Sequence, residues 1–435
     1  MAPSSSLFLF RNFFTCHCFH FLLLILTFSV STELALGFCY SSIFSFGDSL
    51  ADTGNLFHIS DLSLRPPHFA LPPYGETYFH RPTGRCSDGR LVIDFIAQDL
   101  GLPLVPPYFR GQNASVVNFK EGVNFAVVGA TALDDTFFEE RGIHNPYTNT
   151  SLRDQLGWFK EMLPSLCHSP SNCKQLLRNS LILVGEIGGN DYNHAFQSGR
   201  NIQEIQSFVP LVINAISSAI NELIELGAMT LMVPGNLPTG CVPYYLTTYM
   251  SSNEEDYVAE TGCLIWLNEF AEYHNEMLRL ELNRIQELHP HSTIIYADYY
   301  NAAMHFYRSP LEYGFSREVL KACCGAGGPY NFKATEECGY PPSRVCDDPS
   351  LYVSWDGLHF TEAAYRGWRS GSYLAIRASY QFLYRGSPGD CNYRDICNTA
   401  SLYSFSGVIS NYNYCSNATA FYVIVSAYPD DCGSA

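Results

Sequence analysis

Short apolar runs alternate along the chain with longer segments of helical periodicity. The runs cover residues 43–46, 123–128, 181–184, 229–233 and 293–296. Each lies close to Gly, Pro, Asn or Asp, and none shows a clean alternation of apolar and polar positions. This pattern is typical of parallel strands that are covered on both faces. It predicts a mainly parallel five-stranded sheet.

Two segments between these runs have the spacing of an amphipathic helix. In the first, Val212, Ile216, Ala219, Leu223 and Leu226 fall on one face, and Gly227 closes the segment. Strands that alternate with helices predict a layered α/β fold, and the absence of internal repeats favours a single domain.

The second helical segment covers residues 264–288 and ends at His289-Pro290. One side of it carries Leu267, Phe270, His274, Leu278, Leu282 and Ile285. Apolar positions at this spacing are typical of a buried face, so His274 is predicted to be a core histidine and not a ligand.

Composition and charge narrow the possible partners. The chain has 435 residues, of which 47% are hydrophobic and 15% charged, enough for a large core. The formal net charge of −17 disfavours binding to nucleic acid and to anionic lipid headgroups. We therefore expect no nucleic-acid partner and no stable insertion into a membrane. We also expect a monomer.

The N-terminal segment has the features of a secretory signal. Arg11 precedes the apolar residues 21–30, which are too few for the roughly 20 that a bilayer span needs. Ala35-Leu36-Gly37 fits a cleavage site. We expect residues 1–37 to be removed and the mature chain to be secreted to the apoplast, with the vacuole as the alternative compartment.

The cysteine content agrees with secretion. Of 16 cysteines, 14 remain after residue 37, an even number as disulfide pairing needs. The cluster of Cys323, Cys324, Cys338 and Cys346 has neither a C-x-x-C pair nor a histidine at ligand spacing, so disulfides are predicted there and not zinc.

Three sequons also fit the secretory pathway. Asn113, Asn149 and Asn417 each begin an N-x-S/T triplet and are candidate glycosylation acceptors. Such triplets often occur by chance, so they carry little weight alone.

A candidate nucleophile follows the first predicted strand. Ser49 lies in Phe46-Gly47-Asp48-Ser49-Leu50, at the strand end where ligands bind in open α/β sheets. Gly-Asp-Ser is also ordinary turn composition, and the run lacks the second glycine of a G-x-S-x-G elbow. A serine nucleophile needs a base, and the base needs an orienting group. Asp356 and His359, three apart in Trp355-Asp356-Gly357-Leu358-His359-Phe360, can meet through a tight turn. Taken alone, this segment is more often a turn aspartate with an incidental histidine.

Candidate oxyanion donors follow two further strands. Asn190, in Gly188-Gly189-Asn190-Asp191, offers a side-chain amide, and Gly129 offers a backbone N–H unobstructed by a side chain. Either segment alone is also an ordinary turn.

Together these residues resemble the GDSL (SGNH) hydrolase family. Ser49, Gly129, Asn190 and His359 match its four named residues in chain order. The flanks are also similar, and they comprise residues 46–55, Gly84-Arg85-Cys86-Ser87-Asp88-Gly89-Arg90 with Asp94-Phe95, Pro238-Thr239-Gly240-Cys241 and Cys323-Cys324-Gly325.

The resemblance implies a three-layer α/β/α flavodoxin-like sandwich over residues 38–370 and a hydrolase that needs no cofactor and no metal. It further implies Ser49 as the nucleophile, His359 as the base and Asp356 as the group that orients His359. The oxyanion hole would comprise Ser49, Gly129 and Asn190. The substrate would be a small-molecule ester, such as an acyl ester of a small alcohol, a phenolic or an alkaloid. Lipids and acetylated polysaccharides are the alternatives.

The C-terminus departs from the family. The helix expected after His359 begins at Thr361, but residues 371–435 match nothing in the family and are rich in Ser, Tyr and Asn. They form either a genuine extension or the product of a mistranslated intron, and a missing closing helix would leave His359 less well held.

Two other functions use similar strand-end motifs or the same fold. A metallophosphoesterase needs a D-x-H in its first loop and a histidine in the Gly-Asn segment, and residues 46–49 and 189–191 have neither. A catalytically silent secreted binding glycoprotein on the same fold remains the alternative to an enzyme.

Overall fold

The structure, a computed structural model, describes residues 40–60, 66–113 and 118–368. The predicted signal segment 1–37, the tail 371–435 and the sequon at Asn417 lie outside the described residues.

Five strands form one parallel sheet in the order β2-β1-β3-β4-β5. The strands are β1 (Ser42–Phe46), β2 (Gly122–Asn124), β3 (Ser180–Val184), β4 (Thr230–Pro234) and β5 (Thr293–Ala297). The order reverses between β1 and β3, and such a switch point leaves a crevice beyond the carboxyl ends of the strands.

The helices begin and end as follows: α1 (Asn55–Ile59), α2 (Val92–Asp99), α3 (Tyr108–Asn113), α4 (Asp135–Glu139), α5 (Leu152–Leu166), α6 (Pro170–Arg178), α7 (Gly189–Gln197), α8 (Ile202–Leu226), α9 (Pro243–Thr248), α10 (Ile265–Leu288) and α11 (Tyr299–Arg308). Short 3-10 turns occupy His68–Ala70, Thr239–Cys241, Glu254–Asp256, Pro310–Tyr313 and Pro349–Leu351. Residues 362–368 are also helical.

The two faces of the sheet pack against different helices. On one face, Phe44, Ile182 and Leu231 belong to a core cluster that includes Phe159 of α5 and Val212 of α8. The other face carries Ser45, Leu183 and Met232, each one residue further along its strand. Together with residues of α2 and α11, these side chains line a small cavity. Alternate strand residues thus face opposite helical layers. The predicted three-layer α/β/α fold with a parallel five-stranded sheet is confirmed.

The two predicted helices are confirmed as well, with one extension. Helix α8 begins ten residues before Val212, at Ile202, where the Asn201 side chain accepts a hydrogen bond from the backbone N–H of Glu204. By length and composition α8 could cross a membrane, but it is mostly buried in the protein core. In α10 all six predicted apolar-face residues are buried, and the imidazole of His274 is hydrogen-bonded to the Tyr192 hydroxyl at 2.8 Å.

The second strand is shorter than predicted. It ends at Asn124, whereas the apolar run continues to Val128. The side-chain amide of Asn55 donates to the carbonyls of Asn124 and Ala126, both at 2.8 Å. The N–H groups of Phe125 and Val127 still donate to the carbonyls of Ser45 and Gly47, but the N–H of Gly47 donates to the Gln155 side chain, so the ladder with β1 is incomplete beyond Asn124. Residues 125–128 lead directly to Gly129.

Candidate active site

Ser49 lies three residues beyond the end of β1, on a turn that a glycine begins. Gly47 has φ +145°, and a Cβ at this position would lie 2.7 Å from the carbonyl oxygen of Glu186. A glycine is therefore required for the close approach of the two loops. The side chain of Gln155 in α5 accepts from the N–H of Gly47 and donates to its carbonyl, each at 2.8 Å. The turn that carries Ser49 is thus held against a rigid helix.

The structure brings Ser49, His359 and Asp356 into one hydrogen-bonded chain. His359 Nε2 lies 2.9 Å from Ser49 Oγ, and His359 Nδ1 lies 2.7 Å from Asp356 Oδ2. All three side chains are buried. Because Asp356 bonds Nδ1, the imidazole presents Nε2 to the serine, as a base that takes a hydroxyl proton must.

A tight turn holds the aspartate and the histidine together. Asp356 Oδ1 accepts the backbone N–H groups of Leu358 at 3.0 Å and His359 at 2.8 Å. The N–H of Trp355 donates to the carbonyl of His359 at 2.8 Å and closes the turn. The spacing of three residues therefore produces the contact that the sequence suggested.

The protonation state of Asp356 follows from these bonds. Burial raises the pKa of this carboxyl, but His359 and its hydrogen bonds outweigh burial and hold the pKa well below the ordinary value. The carboxylate therefore stays ionised and can stabilise a positive charge on His359.

Two unused backbone donors lie in the loops that follow β1 and β2. Within the described residues, neither the N–H of Ser49 nor that of Gly129 donates a hydrogen bond to the protein. Gly129 has φ +82°, and a Cβ there would lie 2.7 Å from Cβ of Tyr147. The Gly129 carbonyl accepts the Asn145 amide at 2.8 Å and lies 3.2 Å from His194 Nε2, so the glycine is firmly held.

The third candidate donor is more constrained. Asn190, the second residue of α7, donates from its side-chain amide to the carbonyl of Ala130 at 3.0 Å and to Asp48 Oδ2 at 3.3 Å. For the amide to donate to a substrate oxygen, the longer bond to Asp48 is the one that it would give up.

A set of buried carboxylates connects the loops of the site. Asp52 Oδ2 accepts the N–H of Val128 at 2.9 Å, and Asp191 accepts the N–H groups of Ala132 and Leu133 at 2.8 and 2.9 Å. Burial raises the pKa of Asp52 to about 6 and the pKa of Asp191 to about 7. Burial likewise raises the pKa of Asp48 to about 7, opposed by the N–H of Leu50.

Sequence reasoning gave no role to Asp52, Asp191 or Gln155. Asp52 and Asp191 stand in the two motif blocks that carry Ser49 and Asn190, and this proximity was the available signal. Gln155 lies 108 residues from its partner Gly47 in a helix with no motif, so nothing in the sequence marked it.

The helix that follows His359 is present in the described residues and is well anchored. The Arg90 guanidinium bonds Glu362 Oε1 at 2.7 Å, and the Arg90 N–H bonds Glu362 Oε2 at 2.9 Å. The N–H of Glu362 in turn donates to Asp88 Oδ1 at 2.7 Å. The early loop thus fixes the start of the closing helix three residues after His359.

Four disulfides lie in the described residues: Cys167–Cys173, Cys241–Cys263, Cys323–Cys346 and Cys324–Cys338. The cluster considered for zinc is therefore confirmed as disulfide-bonded. Cys86 is buried and has no disulfide partner in this part of the chain. Among the described residues, no group of three or more His, Cys, Asp or Glu is arranged to hold a metal ion.

Two predicted glycosylation sites fall in the described residues. Asn149 is exposed in the loop before α5, and Asn113 is the last residue of α3. Their use as acceptors stays a prediction.

Comparison with known proteins agrees with the fold. Residues 43–368 match the model of the GDSL-like lipase/acylhydrolase family. Two GDSL esterases/lipases of Arabidopsis thaliana are 60% identical over 75% of this chain and 83% of their own length, and 58% identical over 80% and 88%. A sinapine esterase of Brassica napus is 55% identical over 75% of this chain and 83% of its own. The chain therefore belongs to the GDSL-like lipase/acylhydrolase family and is a carboxylic ester hydrolase.

Proposed function

We propose that the protein cleaves a small-molecule carboxylic ester through a covalent acyl-Ser49 intermediate. The observation that carries this proposal is the hydrogen-bonded chain from Ser49 Oγ through His359 to Asp356, with distances of 2.9 and 2.7 Å. It is the geometry that makes a serine hydroxyl nucleophilic at ordinary pH.

In the first half of the reaction Ser49 Oγ attacks the ester carbonyl carbon. Its proton passes to His359 Nε2, and Asp356 stabilises the imidazolium through the bond to Nδ1. When the tetrahedral intermediate collapses, the ester C–O bond breaks and the leaving alcohol takes the proton from Nε2. The acyl group remains on Ser49.

In the second half a water molecule replaces the alcohol. His359 accepts one of its protons, and the water oxygen attacks the acyl carbon. The bond to Ser49 Oγ then breaks, the proton returns to Oγ, and the carboxylic acid leaves. No redox step and no co-reactant other than water is needed.

The oxyanion of both intermediates would be bound by the N–H groups of Ser49 and Gly129 and by the amide of Asn190. The two unused backbone donors support this assignment. Fixed donors of this kind stabilise the charge that develops in the transition state, and each is typically worth about 3 kcal/mol.

The rim of the site suggests the kind of substrate. Tyr147 lies against Gly129, and Tyr244 donates its backbone N–H to the carbonyl of Gly357 at 2.9 Å. Phe332 packs on Gly357 and lies 5.5 Å from the Tyr244 ring. Aromatic rings beside Gly129 and Gly357 favour an ester with a large, flat apolar group. Sinapine belongs in the first substrate panel, because one relative is named for it.

We also propose that the protein is secreted. Four disulfides in the described residues support an oxidising compartment. The predicted signal segment and the monomeric state stay predictions.

Labelling with an organophosphonate serine probe tests the nucleophile. We expect the folded protein to be labelled and the Ser49→Ala variant not to be. The matched control is Ser45→Ala, four residues earlier in β1, where the hydroxyl is buried without a hydrogen-bond partner. That variant should label like the parent protein.

Labelling that survives Ser49→Ala would overturn the assignment of the nucleophile. A folded parent protein that neither labels nor hydrolyses any ester of the panel would favour the silent binding glycoprotein instead.

A further inference from the structure

A tyrosine far away in the sequence is part of the Asp356 environment. The Tyr74 hydroxyl lies 2.8 Å from Asp356 Oδ2 and is separated from it by 282 residues. The same oxygen accepts His359 Nδ1–H at 2.7 Å. Asp356 Oδ2 thus has two side-chain donors, and one of them belongs to neither of the motifs that define the site.

Tyr74 is fixed by its surroundings. It is 1% exposed, and its ring packs edge-on against Trp355 with 5.8 Å between ring centroids. Its backbone N–H donates to the carbonyl of Leu71 at 3.1 Å within a turn of the loop between the 3-10 turn His68–Ala70 and α2. The hydroxyl therefore reaches Asp356 from a rigid position.

The direction of this hydrogen bond is determined by charge. Burial, followed by the nearby Asp356, raises the pKa of Tyr74 well above the ordinary value, so the phenol stays protonated. An ionised carboxylate only accepts hydrogen bonds. Tyr74 is therefore the donor, and the bond is charge-assisted.

Four donors surround the carboxylate in two pairs. The backbone N–H groups of Leu358 and His359 bind Oδ1, whereas Tyr74 and His359 Nδ1 bind Oδ2. The first pair fixes the carboxylate to its own turn. The Tyr74 bond comes from a separate loop, and it orients Oδ2 and withdraws part of its negative charge from the imidazole.

We propose that Tyr74 is a positioning residue for ester hydrolysis, which acts through Asp356 by holding Oδ2 in line with His359 and by setting how strongly the carboxylate attracts the imidazolium. This inference rests on the proposed function of Ser49, His359 and Asp356. Removal of the hydroxyl leaves a buried carboxylate with one donor fewer, so its negative charge is less shared and it holds the proton on His359 more strongly.

Other titratable groups face this pair and must be kept constant in a test. The groups that interact with Asp356 or Tyr74 are His359, His68, Cys86, Tyr147, Glu337 and Tyr365. His68 and Glu337 also approach each other at 3.6 Å. All of them remain in a variant changed only at position 74, so a difference between its pH profile and that of the parent reports on the Tyr74 hydroxyl.

The experiment compares pH profiles of kcat and kcat/KM for Tyr74→Phe and the parent protein. We expect kcat to fall about tenfold with little change in KM, because the hydroxyl orients the machinery and does not touch substrate. We also expect the acid limb of the profile to move to higher pH by about half a unit, because a less shared carboxylate favours the protonated imidazole. Tyr307→Phe, a buried tyrosine of α11 that makes none of these hydrogen bonds, is the matched control and should leave the profile unchanged.

A second comparison shows whether Tyr74 acts through Asp356. In an Asp356→Ala background, Tyr74→Phe should cause no further loss, because the group on which it acts is absent. Equal losses in both backgrounds, or a reduced kcat with an unmoved acid limb, would reduce Tyr74 to a packing residue and overturn the proposal.

A variant that keeps the hydroxyl covers the case in which Tyr74→Phe does not fold. Site-specific 3-fluorotyrosine at position 74 keeps the hydroxyl and makes it a stronger donor, so the acid limb should move to lower pH. An unmoved limb in that protein would contradict the proposal. Ser49→Ala is measured in the same assay. Activity that survives this substitution would refute Ser49 as the nucleophile, whereas the outcomes described above refute only the role of Tyr74.

Discussion

Asp52 Oδ2 accepts the backbone N–H of Val128 at 2.9 Å and thereby connects the turn that carries Ser49 to the segment that ends at Gly129. The same carboxylate accepts the N–H groups of Gly54 and Leu56 at 2.7 and 3.1 Å. The relative position of two proposed oxyanion donors thus depends on one buried side chain.

Asp52→Asn should therefore lower both kcat and stability. The amide keeps a single acceptor oxygen, so at least one buried N–H loses its partner, at a cost of about 1–3 kcal/mol. We expect kcat to fall roughly tenfold, which corresponds to about 1.4 kcal/mol of lost transition-state stabilisation. Steady-state kinetics and urea unfolding measure the two effects, with the exposed Asp347→Asn as a control that should change neither.

The pH dependence of this loss has a defined sign. The pKa of Asp52 is raised from 3.8 to about 6 in the folded protein. At pH values between 3.8 and about 6 the folded state binds more protons than the unfolded state. The contribution of Asp52 to the free energy of unfolding is therefore full below pH 3.8 and is lost as the pH rises through about 6. The destabilisation by Asp52→Asn should accordingly be larger at acidic than at neutral pH. A loss that grows toward neutral pH would contradict the raised pKa.

Asn190→Ala tests the side-chain oxyanion donor. We expect kcat to fall by about 10²–10³ with KM nearly unchanged, because the amide would act on the charge of the transition state. Asn214→Ala, at an exposed position of α8, is the matched control. A loss expressed only in KM would show that Asn190 binds substrate in its ground state and is not an oxyanion donor.

Tyr147→Ala tests the aromatic rim. Tyr147 is 38% exposed and lies against Gly129, so its removal should weaken the binding of esters with aromatic acyl groups. We expect KM for these substrates to rise about tenfold, equivalent to about 1.4 kcal/mol, and KM for an acetyl ester to change little. Tyr273→Ala, at a similarly exposed position of α10, should affect neither. Equal effects on both ester types would exclude a role of Tyr147 in selectivity.

The disulfide Cys324–Cys338 should support activity as well as stability. The N–H of Cys324 donates to the carbonyl of Trp355 at 2.7 Å, one residue before Asp356. Replacement of both cysteines by serine should cost about 3 kcal/mol of unfolding free energy and should also lower kcat, because the turn with Asp356 and His359 loses its support.

The matched control is the disulfide Cys167–Cys173, which joins the segments of α5 and α6. Its replacement by serines should lower the free energy of unfolding by about 2 kcal/mol, less than for Cys324–Cys338 because the closed loop is shorter. It should leave kcat unchanged. If both replacements affect kcat equally, the support of the Asp356 turn by Cys324 is refuted.

His274 should make stability fall in mild acid. Burial lowers the pKa of this histidine from 6.5 to about 3 in the folded protein. At pH values between about 3 and 6.5 the unfolded state binds a proton that the folded state does not. The contribution of His274 to the free energy of unfolding is therefore full above pH 6.5 and is lost as the pH falls toward about 3. The slope is about 1.4 kcal/mol per pH unit.

Urea unfolding at pH values on either side of 6.5 measures this effect when the parent protein is compared with His274→Asn. The difference between the two proteins isolates His274 from the buried carboxylates, whose raised pKa values act in the opposite direction. An identical pH dependence in both proteins would show that His274 is not buried in its neutral form.

The local pattern of the sequence was enough to predict the sheet and the residues of the site. Five apolar runs bounded by turn residues mark the strands, because a strand buried on both faces carries mostly apolar side chains. Ser49, Asn190 and Gly129 were recognisable because each lies in a segment that follows one of the predicted strands, and Asp356 and His359 because a three-residue spacing lets them meet within one turn. Each of these signals lies within one short segment of the chain.

The tertiary structure alone decided how these groups are held and tuned. It ended β2 at Asn124, because the Gln155 side chain accepts the N–H of Gly47, which would otherwise continue the ladder. It brought Gln155 to Gly47, Arg90 to Glu362 and Tyr74 to Asp356, across 108, 272 and 282 residues. No periodicity or motif encodes such contacts, since each depends on where the packing of the sheet and its helices places two distant loops, and burial at that place then sets the pKa of each carboxylate.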